Sequence, residues 1–92
     1  MSGFKVVSSS EIYKSILKYL DHGTAITPEL IIMEKNGVEF KISFNLEFTY
    51  DWSNGMIANI PVINIVKSNG KDPTEFEIKT IENYIEKNYR YK

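Results

Sequence analysis

From Val38 to Trp52 every even position is apolar: Val38, Phe40, Ile42, Phe44, Leu46, Phe48, Tyr50 and Trp52. Between them stand Glu39, Lys41, Ser43, Asn45, Glu47, Thr49 and Asp51. A period of two sustained over this length predicts one β-strand with a single buried face. Asn36-Gly37 precedes it, the pair that favours a two-residue type I′ hairpin. Such a turn pairs Met33 with Phe40 and Ile31 with Ile42, placing all four on the core face. Ser53-Asn54-Gly55 predicts a second turn, after which Met56 to Lys67 returns as a third strand. Alternation there is less regular. Pro61 has no amide hydrogen to give to a ladder, which puts it at an edge or a bulge.

The flanks show helical spacing instead. Ser8-Ser9-Ser10-Glu11 has the form of a capping box, and Ile12, Ile16, Leu17 and Leu20 then fall on one face, with Tyr13 and Tyr19 beside it. This predicts a helix to about Asp21, ended by Gly23 as a left-handed residue, then a loop from Thr24 to Pro28. Asp72-Pro73-Thr74-Glu75 predicts a second helix start, with Asp72 as N-cap and Glu75 at the third helical position. That helix runs from Pro73 to about Asn88. Ile78, Ile81 and Ile85 form its buried stripe, flanked by Phe76 and Tyr84. Phe4 to Val7 reads as a short strand or an extended lead-in.

The expected fold class is therefore α+β, one domain over residues 1–92: a two-layer sandwich of α-β-β-β-α order. A three-stranded antiparallel meander, with an optional short N-terminal strand, is covered on one face by two helices. The even-numbered aromatic stripe is the face to be covered. Residues 8–88 in this order resemble the topology of the double-stranded RNA-binding domain. In that family the second helix opens with a lysine-rich turn that meets phosphates. Here the matching turn holds Asp72, Thr74, Glu75 and Glu77, carboxylates that repel a nucleic-acid backbone. Arg90 is the sole arginine, so bidentate phosphate or guanine contacts have little to draw on.

Composition narrows the chemistry further. The chain has 92 residues, 42% of them hydrophobic and 25% charged, with a net charge of −1. It holds no cysteine, which removes disulfides, thiolate metal sites and cysteine nucleophiles. His22 is the only histidine; beside Asp21 at the expected helix end it reads as a partner of the helix C-terminus rather than an acid–base catalyst. No glycine-rich phosphate loop or EF-hand spacing occurs. No enzyme, cofactor or metal site is expected. The absence of an apolar leader or of a run near the roughly 18 residues needed to span a bilayer leads to the expectation of a cytoplasmic protein without a membrane partner.

Two surfaces remain as candidates. A strand of fifteen residues from Val38 to Trp52 would extend about 50 Å, against a radius of gyration of about 12 Å for a domain of this length. Either it bends, near Asn45, or the second hairpin projects, leaving Tyr50, Trp52, Asn54 and Met56 near a tip as interface anchors. The second surface is the polar sheet face, with Glu39, Glu47 and Asp51 outward and Leu30 and Ile32 on the same side. Residues 29–52 carry five acids against two lysines. These features suggest a small non-enzymatic factor that binds a protein with a basic surface and acts sterically, as an inhibitor, immunity or host-takeover protein of a phage or mobile element would. A nucleic-acid-binding module and a self-associating structural subunit, such as a homodimer, are the alternatives.

Overall fold

The computed structural model describes residues 3–18, 23–51, 53 and 55–89. Asn36 and Gly37 adopt φ of +52° and +79°, the backbone that a type I′ turn demands. On either side run two long strands, β2 (Gly23–Lys35) and β3 (Val38–Asp51). Their register pairs Met33 with Phe40 and Ile31 with Ile42, as the turn predicts. The pairing continues to Gly23 opposite Tyr50. Thr24 to Pro28 is thus strand and not the expected loop. Cross-strand pairing with residues 45–49 of β3 overrides the turn-like local composition.

The lead-in is also a strand. β1 (Lys5–Ser9) pairs antiparallel with β2 at one edge, with a register shift between Val6 and Ser8. Ser8 and Ser9 are therefore in the sheet and do not cap a helix. The chain leaves β1 through Glu11, whose φ of +49° lies in the left-handed region, and the helix that follows, α1, spans only Tyr13–Leu17. The expected end near Asp21, and the roles suggested for Asp21 and His22, fall outside the described residues. Gly23 does not stop α1; it opens β2 with φ of +96°.

The expected third strand is two strands. β4 (Gly55–Asn59) pairs with the C-terminal part of β3, and β5 (Ile63–Lys67) with its N-terminal part. Glu47 lies opposite Asn59, and Phe44 opposite Ile63. Residues 60–62 thus face only Asn45 and Leu46, an extra residue that makes a bulge at Pro61. The bulge reverses parity. Ala58 faces the core in β4, whereas Ile63 and Ile65 face it in β5. This is why the hydrophobic alternation falters there.

The final helix, α2 (Glu75–Tyr89), starts two residues later than the first capping signal suggests. Its capping box is Thr74 with Glu77. The Glu77 amide donates to Thr74 Oγ1 at 3.2 Å, and the Thr74 amide donates to Glu77 Oε1 at 2.9 Å. Ile81, Ile85 and Tyr89 are buried along it, while Phe76 is exposed. Together with Tyr13 of α1 they join one cluster with Phe40, Ile42, Phe44, Leu46 and Phe48, so the even-numbered stripe of β3 is the covered side. The molecule is 44 Å long with a radius of gyration of 14.4 Å. Fourteen extended residues of β3 account for about that length, so the strand runs the whole molecule rather than doubling back. The fold is a small α+β fold, an antiparallel sheet with two helices.

A candidate protein-docking face

The side of the sheet opposite the core carries the odd positions of β3 and the even positions of β2. Along β3 it is polar, with Glu39, Lys41, Ser43, Asn45 and Thr49 exposed and Glu47 half-buried. Apolar side chains flank that polar stripe on both sides. On β2, Ile26 and Leu30 are exposed and Ile32 is half-buried. On the far edge Ile57, Val62 and Val66 are exposed. Val66 lies level with Lys41 and Ile32, and Ile57 with Thr49 and Thr24. Where the bulge draws the edge away from β3, a shallow hollow of about 240 Å³ opens between Pro28, Ser43, Asn45, Pro61, Val62 and Asn64. It is smaller than a typical ligand pocket, and the one ionisable residue lining it, Glu29, is buried on the core face.

The residues singled out by sequence divide between the two faces. Glu39 and Glu47 are on the outer face, eight positions apart along β3, and Glu47 lies 3.5 Å from the Asn59 amide. Tyr50 has the opposite parity, is half-buried and stands opposite Met56 in the ladder. Asp51 closes β3 opposite Gly55. Trp52 and Asn54 lie outside the described residues, and the structure does not bring the named set together as one patch. Of the charges counted over residues 29–52, one acid and one lysine are not outward at all. Glu29 is buried on the core face, and Lys35 places its Nζ 5.2 Å from the Phe4 ring and 5.4 Å from that of Phe76.

The buried ionisable groups serve the architecture. The Glu29 carboxylate accepts from the Ser10 hydroxyl at 2.7 Å, the Ile12 amide at 3.0 Å and the Tyr13 amide at 2.9 Å. It caps α1 from a neighbouring strand. Sequence reasoning passed over it, although its parity with Ile31 and Met33 was the available signal. Glu77 binds Lys67 Nζ at 3.0 Å, and that ammonium stands 5.2 Å from the Phe40 ring. The hydrogen bond from the Thr74 amide holds the Glu77 carboxyl below its ordinary range; burial opposes this, and Lys67 reinforces it. Burial pushes the Tyr89 hydroxyl up to about 12, with the Ser9 hydrogen bond acting against that rise and the charge of Glu29 adding to it. Its ring meets Tyr13 and Phe44 edge-on, each at 5.3 Å.

A second groove, of about 300 Å³, lies between the edge and α2, with Ile60, Ile63 and Ile85 against Glu82, Asn83 and Glu86. No cationic or nucleophilic side chain lines it. Among the described residues no three His, Asp or Glu side chains gather where they could hold a metal ion, and no helix is long and apolar enough to cross a membrane. Comparison with protein-family models, curated proteins and solved structures finds no match. The candidate site therefore rests on the sheet itself, a face of mixed apolar and charged character on which, among the described residues, no helix packs.

Proposed function

We propose that this chain is a non-enzymatic protein-binding factor of the inhibitor, immunity or host-takeover type, acting by steric occlusion of a partner protein's surface. In this reading the domain is a two-layer sandwich whose helices cover one face so that the other stays clear. The observation that carries the reading is the pair of apolar rails, Ile26 to Ile32 and Ile57 to Val66, set beside a charged strand on that clear face. Side chains of this size remain in water at a cost of about 25 cal/mol per Å² of apolar area, so a docking partner that covers them gains by it. Glu34, Glu39 and Glu47 outnumber Lys41 on these two strands, which suits a partner with basic groups at matching positions. As read from the sequence, Tyr50 and Trp52 are the aromatic anchors of this proposal.

The test is a pull-down from source-cell lysate with tagged wild type beside the double variant Glu47→Lys with Asp51→Lys. The binder reading expects a protein captured by wild type and lost by the variant, then reconstituted from purified components. With that partner in hand, Trp52→Ala should weaken binding by about 2 kcal/mol or more. An unchanged dissociation constant for Trp52→Ala removes the hairpin from the site. Recovery of RNA instead, released by salt, replaces this reading with nucleic-acid binding.

A further inference from the structure

The outer face has a second regularity, which concerns what it fits. The β2–β3 register arranges its side chains in rows, and the row holding Ile26 and Glu47 stands three positions from the level of Glu29 and Phe44. The row holding Ile32 and Lys41 stands three positions away on the other side. Turning the face end for end about that level exchanges the two rows. Isoleucine then meets isoleucine and the lysine meets the glutamate. The same rotation exchanges Pro28 and Asn45 with Leu30 and Ser43, so an apolar pair lies on an apolar pair and an amide on a hydroxyl. Glu34 and Glu39 come to lie over Thr24 and Thr49, hydroxyls that can donate to them. No like charges on these two strands oppose one another.

From this register we infer that the occupant of the outer face is a second copy of the chain, packed face to face about a two-fold axis perpendicular to β3 and level with Phe44. The inference rests on the reading of this face as a docking surface, and puts a second copy there in place of a basic partner protein. Charge selects the axis. A two-fold parallel to β3 would set Lys41 on Lys41 and Glu47 on Glu47 if it ran over β3, and each charge on an isoleucine if it ran between β2 and β3, whereas the perpendicular axis forms the Lys41–Glu47 pair twice, as an isologous interface requires. Aligned sheets pack about 10 Å apart and turn by about 30°, which displaces groups about 10 Å from the axis by about 5 Å. A flexible four-carbon lysine stem spans that shift. The edge column is not self-complementary, since Asn59 would meet Val66; the turn between the sheets carries it to the rim, where water reaches it.

Rows from Thr24 to Glu34 across β2, β3 and the β4/β5 edge make a face of about 34 Å by 14 Å, with β1 adding width only beside residues 31–34. Two copies would bury about 1,000 Å², the area at which a specific interface becomes credible. The β3–β4 ends would then lie at opposite ends of the pair, both open to a different protein.

Analytical ultracentrifugation of the purified chain tests this directly. Wild type should sediment as a dimer, at twice 10.6 kDa. Lys41→Glu and Glu47→Lys should each raise the dissociation constant by at least about tenfold, because each sets like charges across the axis. The combined swap, Lys41→Glu with Glu47→Lys, should return it to within about threefold of wild type. Both side chains point away from the core, and among the described residues the only intrachain contact at stake is the long Asn59–Glu47 hydrogen bond, so thermal unfolding followed by circular dichroism should register the reversals chiefly through the dimer. A wild type that stays monomeric overturns the inference, as does a dimer indifferent to either single reversal or not rescued by the swap. If the purified chain is monomeric while the lysate partner still depends on Glu47, self-pairing falls and the docking reading stands. The swap separates the two as well, since it restores a self-complementary face but not the charge offered to a basic partner.

Discussion

The two helices are anchored in opposite ways. α2 carries its own start, because Thr74 and Glu77 satisfy each other's amides within one turn, and fifteen residues then propagate from that nucleus. α1 has five residues and no side-chain cap of its own at Ile12. Its first amides are taken by Glu29, which is 17 residues from Ile12 in sequence and sits on a strand. A helix this short is not stable alone. The difference teaches that α2 carries its own start signal, whereas α1 depends on a carboxylate that the sheet holds in place for it. The left-handed Glu11 belongs to the same arrangement. The strained turn is held from both sides, by the Ser10 amide donating to the Leu30 carbonyl and by the Ile12 amide donating to Glu29.

The sharpest way to break the contrast is Glu29→Ala. It removes the acceptor of three hydrogen bonds, with the Tyr13 amide left in a buried setting. The expected cost is about 3–4 kcal/mol in urea unfolding, and loss of Tyr13 from the core beside Phe48. A loss under about 1 kcal/mol would mean that α1 holds itself.

Glu77→Gln tests the local anchor. The amide keeps an acceptor for Thr74 but removes the charge that Lys67 pairs with, so about 2 kcal/mol is expected, less than for Glu29→Ala. Its pH dependence sharpens the point. The folded Glu77 carboxyl ionises below its ordinary value of 4.5, so its stabilising share is complete above that value and drains away as pH falls through the folded one. In acid titration of stability, the variant should lose less than wild type below pH 4.5.

Tyr89→Phe is the smallest change at neutral pH, about 1 kcal/mol for the Ser9 hydrogen bond. Its effect appears in alkali. The hydroxyl is raised from 10 to about 12, so the neutral, buried form stabilises the fold fully below pH 10 and progressively less as pH rises towards 12. Wild type should lose stability across that window more steeply than the phenylalanine variant. Identical alkaline unfolding curves would show that Tyr89 stays closed to base.

The same contrast separates what could be read along the chain from what could not. The Asn36-Gly37 hairpin was legible because its turn type and its alternation are both local. Pro61 as a break was legible for the same reason, since a missing donor excludes an unbroken ladder. The first helix misled because Ser8 to Glu11 has the form of a capping box, while the competing partners of Ser8 and Ser9, at Ile32 and Ile31, are distant in sequence. Its supposed core residues Ile12 and Ile16 are exposed, because Glu29 sets the helix so that Tyr13 turns inward. For α2, both Asp72/Glu75 and Thr74/Glu77 fit the capping pattern, and burial of Glu77 against Lys67 favours the second. The candidate face was half legible. Leu30 and Ile32 follow from the hairpin register, but Ile26 was hidden in an expected loop, and Ile57 and Val66 in a strand whose parity changes midway.

That change of parity has a further consequence, for the way copies of this chain can accumulate. Sheets grow without limit when an exposed edge offers a long straight row of amides and carbonyls to the next molecule. Here the edge opposite β1 is two segments of five residues, offset by one and separated by a proline with no amide to offer. A neighbour aligned with β4 is out of step with β5, so knitting one sheet to the next stops after a few bonds. The kink at Pro61 thus works against edge-to-edge growth into a fibre.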